Sequence, residues 1–321
     1  MDTDCVDIVL ATYNGASYIE EQVRSVQAQT HENWRLLVSD DGSDDGTLDI
    51  VRRLANEDGR VRLLRRDKTG RGPAWNFLHA LEETNAPYFA FCDQDDAWLP
   101  HKLEHELALM GEREAVVPVG TPGLVFSDMT VVDESLDVVS PSLLEVSGKR
   151  GIEPSVRNLL NTNVVAGTTL LGNAGLRELV LKGVDTAGEG PFVQMHDWWL
   201  AQIAAACGFV AYLPECTVLY RQHGSNAVGA EGISKVKKIK NYLQNRRRFW
   251  DNVRQAGSLE CLYENDMDDG SRRLVHAFVS IGSQGPLESL RTIFNNRLYK
   301  HGLLETVSQI ATVTLFRQRS K

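Results

Sequence analysis

The first 96 residues alternate between segments that read as strands and segments that read as helices, and few architectures accept that order. Residues 6–13 form an apolar run, VDIVLATY, that reads as a buried strand, and 34–39, 61–64 and 88–92 repeat the pattern. Between them, helical spacing recurs in Ile19, Val23 and Val26, in Leu48, Val51 and Leu54, and in Phe77, Leu78 and Leu81. Ser17 and Glu20 spell a capping box for the first helix, and Pro73 stands where the third would begin. This order with short connections predicts an α/β fold, doubly wound around a mostly parallel sheet. Ligands of such sheets bind at the carboxyl ends of the strands.

Three loops are expected to meet at that edge: Thr12-Tyr13-Asn14-Gly15, Asp40-Asp41-Gly42-Ser43 and Asp93-Gln94-Asp95-Asp96. Carboxylates packed as in the third repel one another unless a cation neutralises them. Mg²⁺ or Mn²⁺, sharing its shell with phosphate oxygens, suits such a cluster. In the second loop, Asp40 or Asp41 can accept a hydrogen bond from the imide N–H of uracil or thymine. The loop also resembles the start of a calcium-binding hand, but the twelfth position from Asp41 is Arg52, where that motif needs Glu.

Further along, a helix is expected from near residue 100, strands over 124–132 and 164–171, and helices over 173–181 and 196–207. A strand over 210–220 is interrupted at Pro214, and helical spacing dominates beyond 226. Residues 133–160 show no clear period. Charge divides the chain at the same place: residues 1–225 carry −16 and residues 226–321 carry +7. The expected units are therefore a catalytic domain over 1–225 and a basic, mainly helical region over 226–321. The acidic main unit argues against nucleic acid as a partner. The N-terminus is acidic and lacks the apolar stretch of a signal peptide, and the five cysteines are scattered, so a cytoplasmic setting is expected.

The motifs ATYNG, VSDDGSDDGT and FCDQDDAWLPHKL, in that order, resemble glycosyltransferase family 2 over roughly residues 5–225. The later HDWW and YRQHGSN make the chain most similar to bacterial rhamnosyltransferases of surface polysaccharide synthesis. The resemblance implies a GT-A nucleotide-sugar transferase fold with a helical C-terminal extension. It also implies inverting, metal-dependent transfer of L-rhamnose from dTDP-L-rhamnose, or of a hexose from a UDP-sugar, onto a hydroxyl of a glycan or lipid-linked glycan. By the same resemblance Asp95 ligates Mn²⁺ or Mg²⁺ with Asp93 and His223, while Asp96 holds ribose or donor sugar. Thr12, Tyr13, Asn14, Asp40 and Asp41 line the nucleotide pocket, and Arg71 and Arg221 pair with phosphate. Asp197 is the general base. Gly167, Thr168, His196, Trp198 and Trp199 fall on the acceptor side. Relatives usually carry Glu where His196 stands, which leaves the role of His196 open.

A competing pattern, His101-Lys102-Leu103-Glu104-His105, fits a zinc-protease motif but has no evident third ligand. The segment 235–250 interleaves basic residues with Ile239, Tyr242, Leu243, Phe249 and Trp250, which suits either a solvated helix or peripheral contact with an anionic membrane. The apolar-rich segment 303–316 suits packing, lipid contact or a homo-oligomer contact. Two rivals remain: a nucleotidyltransferase, which would carry a Gly-rich basic loop after the first strand, and a non-catalytic nucleotide-sugar binder, which would lack the base or the acids.

Overall fold

The computed structural model describes residues 4–65, 70, 72–186, 192–223 and 235–315, with only the backbone described at 184–186 and 235–246. The first half follows the alternation read from the sequence. Strands β1 (Val6–Thr12), β2 (Trp34–Asp40), β3 (Val61–Leu63) and β4 (Tyr88–Asp93) are joined through helices α1 (Ile19–Gln27), α2 (Thr47–Glu57) and α3 (Pro73–Leu81). They pair in parallel in the order β3-β2-β1-β4. Thr12, Asp40 and Asp93 thus end adjacent strands, with Thr12 level with Asp40 and Ala11 with Asp93.

Beyond β4 the sheet is mixed rather than parallel. The remaining elements are β5 (Ala97–Trp98), α4 (Lys102–Glu114), β6 (Gly123–Val132), β7 (Val138–Ser140), α5 (Leu143–Val146), α6 (Val156–Leu159), β8 (Leu170–Asn173), α7 (Ala174–Thr186), α8 (His196–Cys207) and β9 (Phe209–Arg221). β8 runs antiparallel to both β4 and β6, β9 runs parallel to β6, and β5 closes the edge antiparallel to β9. The strand expected over 164–171 begins later, after a 3₁₀ turn at Gly167–Thr169. Pro214 does not end β9. The register against β6 jumps from Tyr212 opposite Phe126 to Cys216 opposite Asp128, so Pro214 lies in a bulge where no ladder N–H is required. The Ser17 capping box does not form. Helix α1 begins after Tyr18 without a side-chain cap, and the Gly15 carbonyl accepts from Tyr18 N and Ile19 N.

Side-chain alternation along the strands builds a core on each face of the sheet. Val6, Ile8 and Leu10 pack with Ile19, Val23, Val51, Leu54 and Leu103. Val9, Phe89 and Phe91 pack with α3 and α8. The same second core takes in Phe249, Trp250, Leu259 and Tyr263 of α9 (Lys235–Tyr263), Phe278 of α10 (Asp269–Ser280), Ile293 of α11 (Pro286–Asn295) and Val313 of α12 (Leu303–Leu315). The C-terminal helices therefore share a core with the sheet. The expected break near residue 226 lies outside the described residues. Among the described residues no helix is long and apolar enough to cross a membrane.

Candidate active site

The loops after β1, β2 and β4 are tied to one another by polar contacts. Gln94 clamps the first to the third: its Oε1 accepts from Thr12 Oγ1 at 2.6 Å and Tyr13 N at 2.9 Å, and its Nε2 donates to Tyr13 O at 3.1 Å. Gly15 makes room for this clamp, since a Cβ there would stand 2.3 Å from Gln94 Oε1. Asn14, at φ 49°, reaches the second loop: its N donates to Ser43 Oγ at 2.9 Å and its Oδ1 accepts from Asp44 N at 3.0 Å. The Asp40 carboxylate caps its own turn, accepting from Gly42 N, Ser43 N and the Ser43 hydroxyl. Asp41 accepts from Gly70 N at 2.7 Å and Gly72 N at 2.9 Å, holding the approach to α3. Both carboxylates expected to read a base are thus engaged by backbone donors. Tyr13 is largely exposed at the mouth.

The third loop is completed from 120 residues away in sequence. The Ala97–Leu219 register of β5 and β9 carries Arg221 alongside Asp95 and Asp96. Arg221 N donates to Asp96 Oδ1 at 3.1 Å, and its Nε donates to Asp95 O at 2.9 Å. Its remaining guanidinium nitrogens reach Glu134 O and the Glu21 carboxylate. At 2% exposure, Arg221 is a buried strut rather than the phosphate contact the sequence suggested. His223 Nε2 lies 2.8 Å from Asp95 Oδ2, and its ring stacks on Tyr18 at 4.8 Å. Arg71 lies outside the described residues.

Asp96 is fully buried, and its Oδ2 has no hydrogen-bond partner. Burial pushes its carboxyl well above the usual range, with Asp93 and Asp95 adding to the shift against the Arg221 N–H and the Thr168 hydroxyl. The Asp93 carboxylate makes no hydrogen bond among the described residues. Burial pushes it up to about 7, and the charges of Asp95 and Asp197 push the same way. No group of three or more His, Cys, Asp or Glu side chains stands ready to hold a metal among the described residues. A hard divalent cation that uses one or two carboxylates and completes its shell with substrate phosphates needs no third protein ligand. The unpartnered Asp93 beside Asp95 fits that kind of binding.

Asp197 lies in the first turn of α8, where the helix dipole favours a carboxylate. It accepts from Trp198 N at 2.6 Å, and the nearby Asn163 side chain and Gly167 N–H also favour its ionised form. Desolvation outweighs these aids and nearby Lys149, so its pKa rises to about 6. The acceptor-side residues read from the sequence are mostly packed into the protein around this aspartate. His196 is buried between Phe77 and Phe91, with centroids at 4.1 and 5.3 Å, and both its ring nitrogens lack partners. Burial depresses its pKa to about 3, so the ring is neutral. A Cβ on Gly167 would stand 2.7 Å from His196 Nε2, so this glycine admits the imidazole rather than a sugar. Thr168 is buried and accepts from Trp98 Nε1 at 3.2 Å. Trp199 is buried in the core, and Trp198, part-buried, donates from Nε1 to Leu159 O at 2.6 Å.

The zinc-protease pattern does not assemble. His101 pairs with Glu104, and His105 pairs with Glu215. Sequence reasoning missed Gln94, Tyr18, Glu21, Asn163 and Lys149. Gln94 carried the one available signal, an amide between two acids at a strand end.

The family model described as "Glycosyl transferase family 2" matches residues 7–165. The putative teichuronic acid biosynthesis glycosyltransferase TuaG of Bacillus subtilis (strain 168) is 35% identical over 217 residues, which cover 67% of this chain and 78% of that protein. The dTDP-rhamnosyl transferase RfbG of Shigella flexneri is 25% identical over 245 residues, covering 71% of this chain and 76% of that protein. Among solved structures, the mannosyltransferase PcManGT from Pyrobaculum calidifontis, in complex with GDP-Man and Mn²⁺, aligns with a TM-score of 0.55 at 19% identity. That alignment covers 96% of this chain and 78% of that chain, and its likeness concerns the fold.

Proposed function

This chain belongs to glycosyl transferase family 2, and from that premise we propose that it transfers L-rhamnose from dTDP-L-rhamnose, with inversion, to a hydroxyl of a bacterial surface glycan. Glycosyl transfer follows from the family. The donor is supported by the likeness to RfbG, and the glycan by the likeness to TuaG. The observation that carries the reading is the position of Asp93, at the end of β4 and within electrostatic reach of both Asp95 and Asp197. The acids suited to a diphosphate and the acid suited to a hydroxyl therefore lie near one another.

The proposed division of labour follows from the contacts. The Gln94 clamp and the Asn14–Ser43 contacts hold the nucleotide loops in place before donor arrives. A divalent cation at Asp93 and Asp95 would supply Lewis-acid stabilisation to the leaving diphosphate. Asp197 accepts the proton of the acceptor hydroxyl as its oxygen bonds to the anomeric carbon and the bond to the diphosphate breaks. Raising its pKa toward neutrality makes it a better proton acceptor at working pH than an exposed aspartate. The buried aromatic setting of His196 keeps α8, and with it Asp197, from shifting.

The proposal extends to location. The side chains of 235–246 lie outside the described residues, but Leu287 and Phe294 of α11, Tyr299, and Leu303, Leu304 and Val307 of α12 are exposed. With Arg291, Arg297 and Lys300 interspersed, this suits peripheral contact with an anionic lipid surface. Flotation with anionic vesicles tests it: equal failure to float by wild type and a Leu303→Ser/Leu304→Ser variant would sink this part. The activity itself is tested with a panel of nucleotide sugars. Metal-dependent binding of dTDP-L-rhamnose above UDP-hexoses is expected, and preference for a UDP-hexose would replace the donor while keeping the chemistry.

A further inference from the structure

Side-chain amides are buried where α9 meets α8: Asn252 and Gln255 of α9, Gln202 of α8 and Asn161 just after α6. Asn252 Oδ1 accepts from Gln194 Nε2 at 3.0 Å, and its Nδ2 donates to Asn161 O at 3.2 Å. Gln255 Oε1 accepts from Gln194 N at 2.8 Å, and its Nε2 donates to Gln202 Oε1 at 2.9 Å. Gln202 Nε2 donates to Leu159 O at 2.9 Å, the oxygen that also accepts from Trp198 Nε1. Ser258 Oγ accepts from Phe192 N at 3.1 Å. Asn252, Gln255 and Ser258 recur every three residues, so one face of α9 grips the segment 192–194 along its length.

That face joins two segments. One runs from Leu159 and Asn161 on to Gly167, and the other runs from Phe192 into α8 and Asp197. They meet again at their far ends, where a Cβ on Gly167 would stand 2.7 Å from His196 Nε2. Apolar side chains would fill a helix interface without the desolvation penalty of amides. What amides add is direction: each bond fixes a main chain that neither helix nor sheet fixes there. We propose that Asn252 and Gln255 are positioning residues for the reaction, holding the segment before α8 so that the Asp197 carboxylate faces the acceptor hydroxyl. The inference rests on the reading of Asp197 as the base. It adds that α9, which lies beyond the residues matched by the family model, belongs to the catalytic apparatus.

The test pairs amide hydrogen exchange with kinetics. Asn252→Leu keeps the side-chain volume and removes both of its bonds. Gln194→Met removes one of them from the other side and leaves the α9 core untouched. Exchange over 192–199 should rise about tenfold in Asn252→Leu and less in Gln194→Met. Wild-type exchange in both would overturn the tether whatever the activity. Turnover is read as nucleoside diphosphate released from the nucleotide sugar that binds best in the panel, with water as the acceptor. Asn252→Leu should lower kcat about 10²-fold at unchanged donor KM. In an Asp197→Asn background it should cost nothing further, and the same fall there would overturn the link to the base. Unchanged kcat in Asp197→Asn alone would end the reading of Asp197 instead, and exchange would still decide the tether. Phe278→Leu weakens the same core away from these amides and should lower Tm without moving kcat. A matching fall in that variant would reduce the amides to a structural role. If Asn252→Leu does not fold, Gln194→Met decides each point in its place.

Discussion

The loops after β1, β2 and β4 and the wall that carries Asp197 treat their polar groups differently. At the loops, Thr12, Tyr13, Asn14, Ser43, Asp40, Asp41 and Gln94 meet partners at hydrogen-bond distance. At the wall, His196 has two partnerless nitrogens and Lys149 makes no ion pair among the described residues, while Asp197 accepts from Trp198 N yet still sits well above the ordinary carboxylate range. Asp93 lies within electrostatic reach of Asp95 and Asp197, and its carboxylate makes no hydrogen bond among the described residues. A group already satisfied by its neighbours positions things well and reacts poorly. A group left short of partners has binding or proton affinity to spare. The comparison thus sets the satisfied groups that shape the cleft against Asp93 and Asp197, while the partnerless ring of His196 serves packing between Phe77 and Phe91.

The largest expected effect comes from the side of the cleft that acts. Asp95→Ala should abolish metal-dependent transfer, and near-normal turnover would remove Asp95 from the metal site. Asp197→Asn should lower kcat by about 10²–10⁴-fold while nucleotide-sugar binding persists. An unchanged kcat would end its role as base. With wild type, kcat/KM should rise with pH along a limb near 6, the pKa of Asp197, because only the ionised carboxylate accepts a proton. A limb near 4 would mean that burial is relieved when substrate binds.

Smaller effects should follow from the shaping side. Gly15→Ala places a Cβ against Gln94 and should displace the clamp, raising donor KM about tenfold with little change in kcat. Gln94→Leu should do the same, and the two together should cost no more than either alone. Additive losses would show that the clamp is not what Gly15 protects.

The smallest expected effect concerns stability. The folded pKa of Asp93, about 7, and of Asp197, about 6, lie above the value of 3.8 expected in the unfolded chain. Between about pH 4 and 7 the folded state holds more protons, so these groups favour folding at low pH and that contribution is lost as pH rises through 6 to 7. Metal-free protein should therefore melt higher at pH 5.5 than the remaining groups alone would give. Asp93→Asn should raise Tm by a few degrees at pH 7.5, and a lowered Tm would show that the ionised carboxylate has a partner in solution.

The donor half was legible because its information is local. Strand ends, helix spacing and the acids after β4 lie within 96 residues, and parallel pairing then brings Thr12, Asp40 and Asp93 level. Arg221 and the acceptor-side residues were legible only as positions. A motif states that Arg221 is near the acids, but the β5–β9 register decides that its guanidinium points inward to Glu21 and Glu134. The HDWW motif puts His196, Trp198 and Trp199 on the acceptor side, whereas α8 turns His196 and Trp199 into the core. The Ser17 capping box failed because α1 begins one residue later, with Tyr18 rather than Ser17 at its N-cap position.

The pairing of β5 with β9 also sets an order of events during synthesis. The four parallel strands and their acids leave the ribosome long before residue 221 does. Until then Asp95 and Asp96 lack Arg221 and His223, and α8, which carries Asp197, is still being made. Contacts spanning more than 120 residues form late, since their loop closure must be completed first. A nascent chain stopped short of β9 should therefore have most of the nucleotide pocket and no working site, so donor sugar is not exposed to a half-built enzyme.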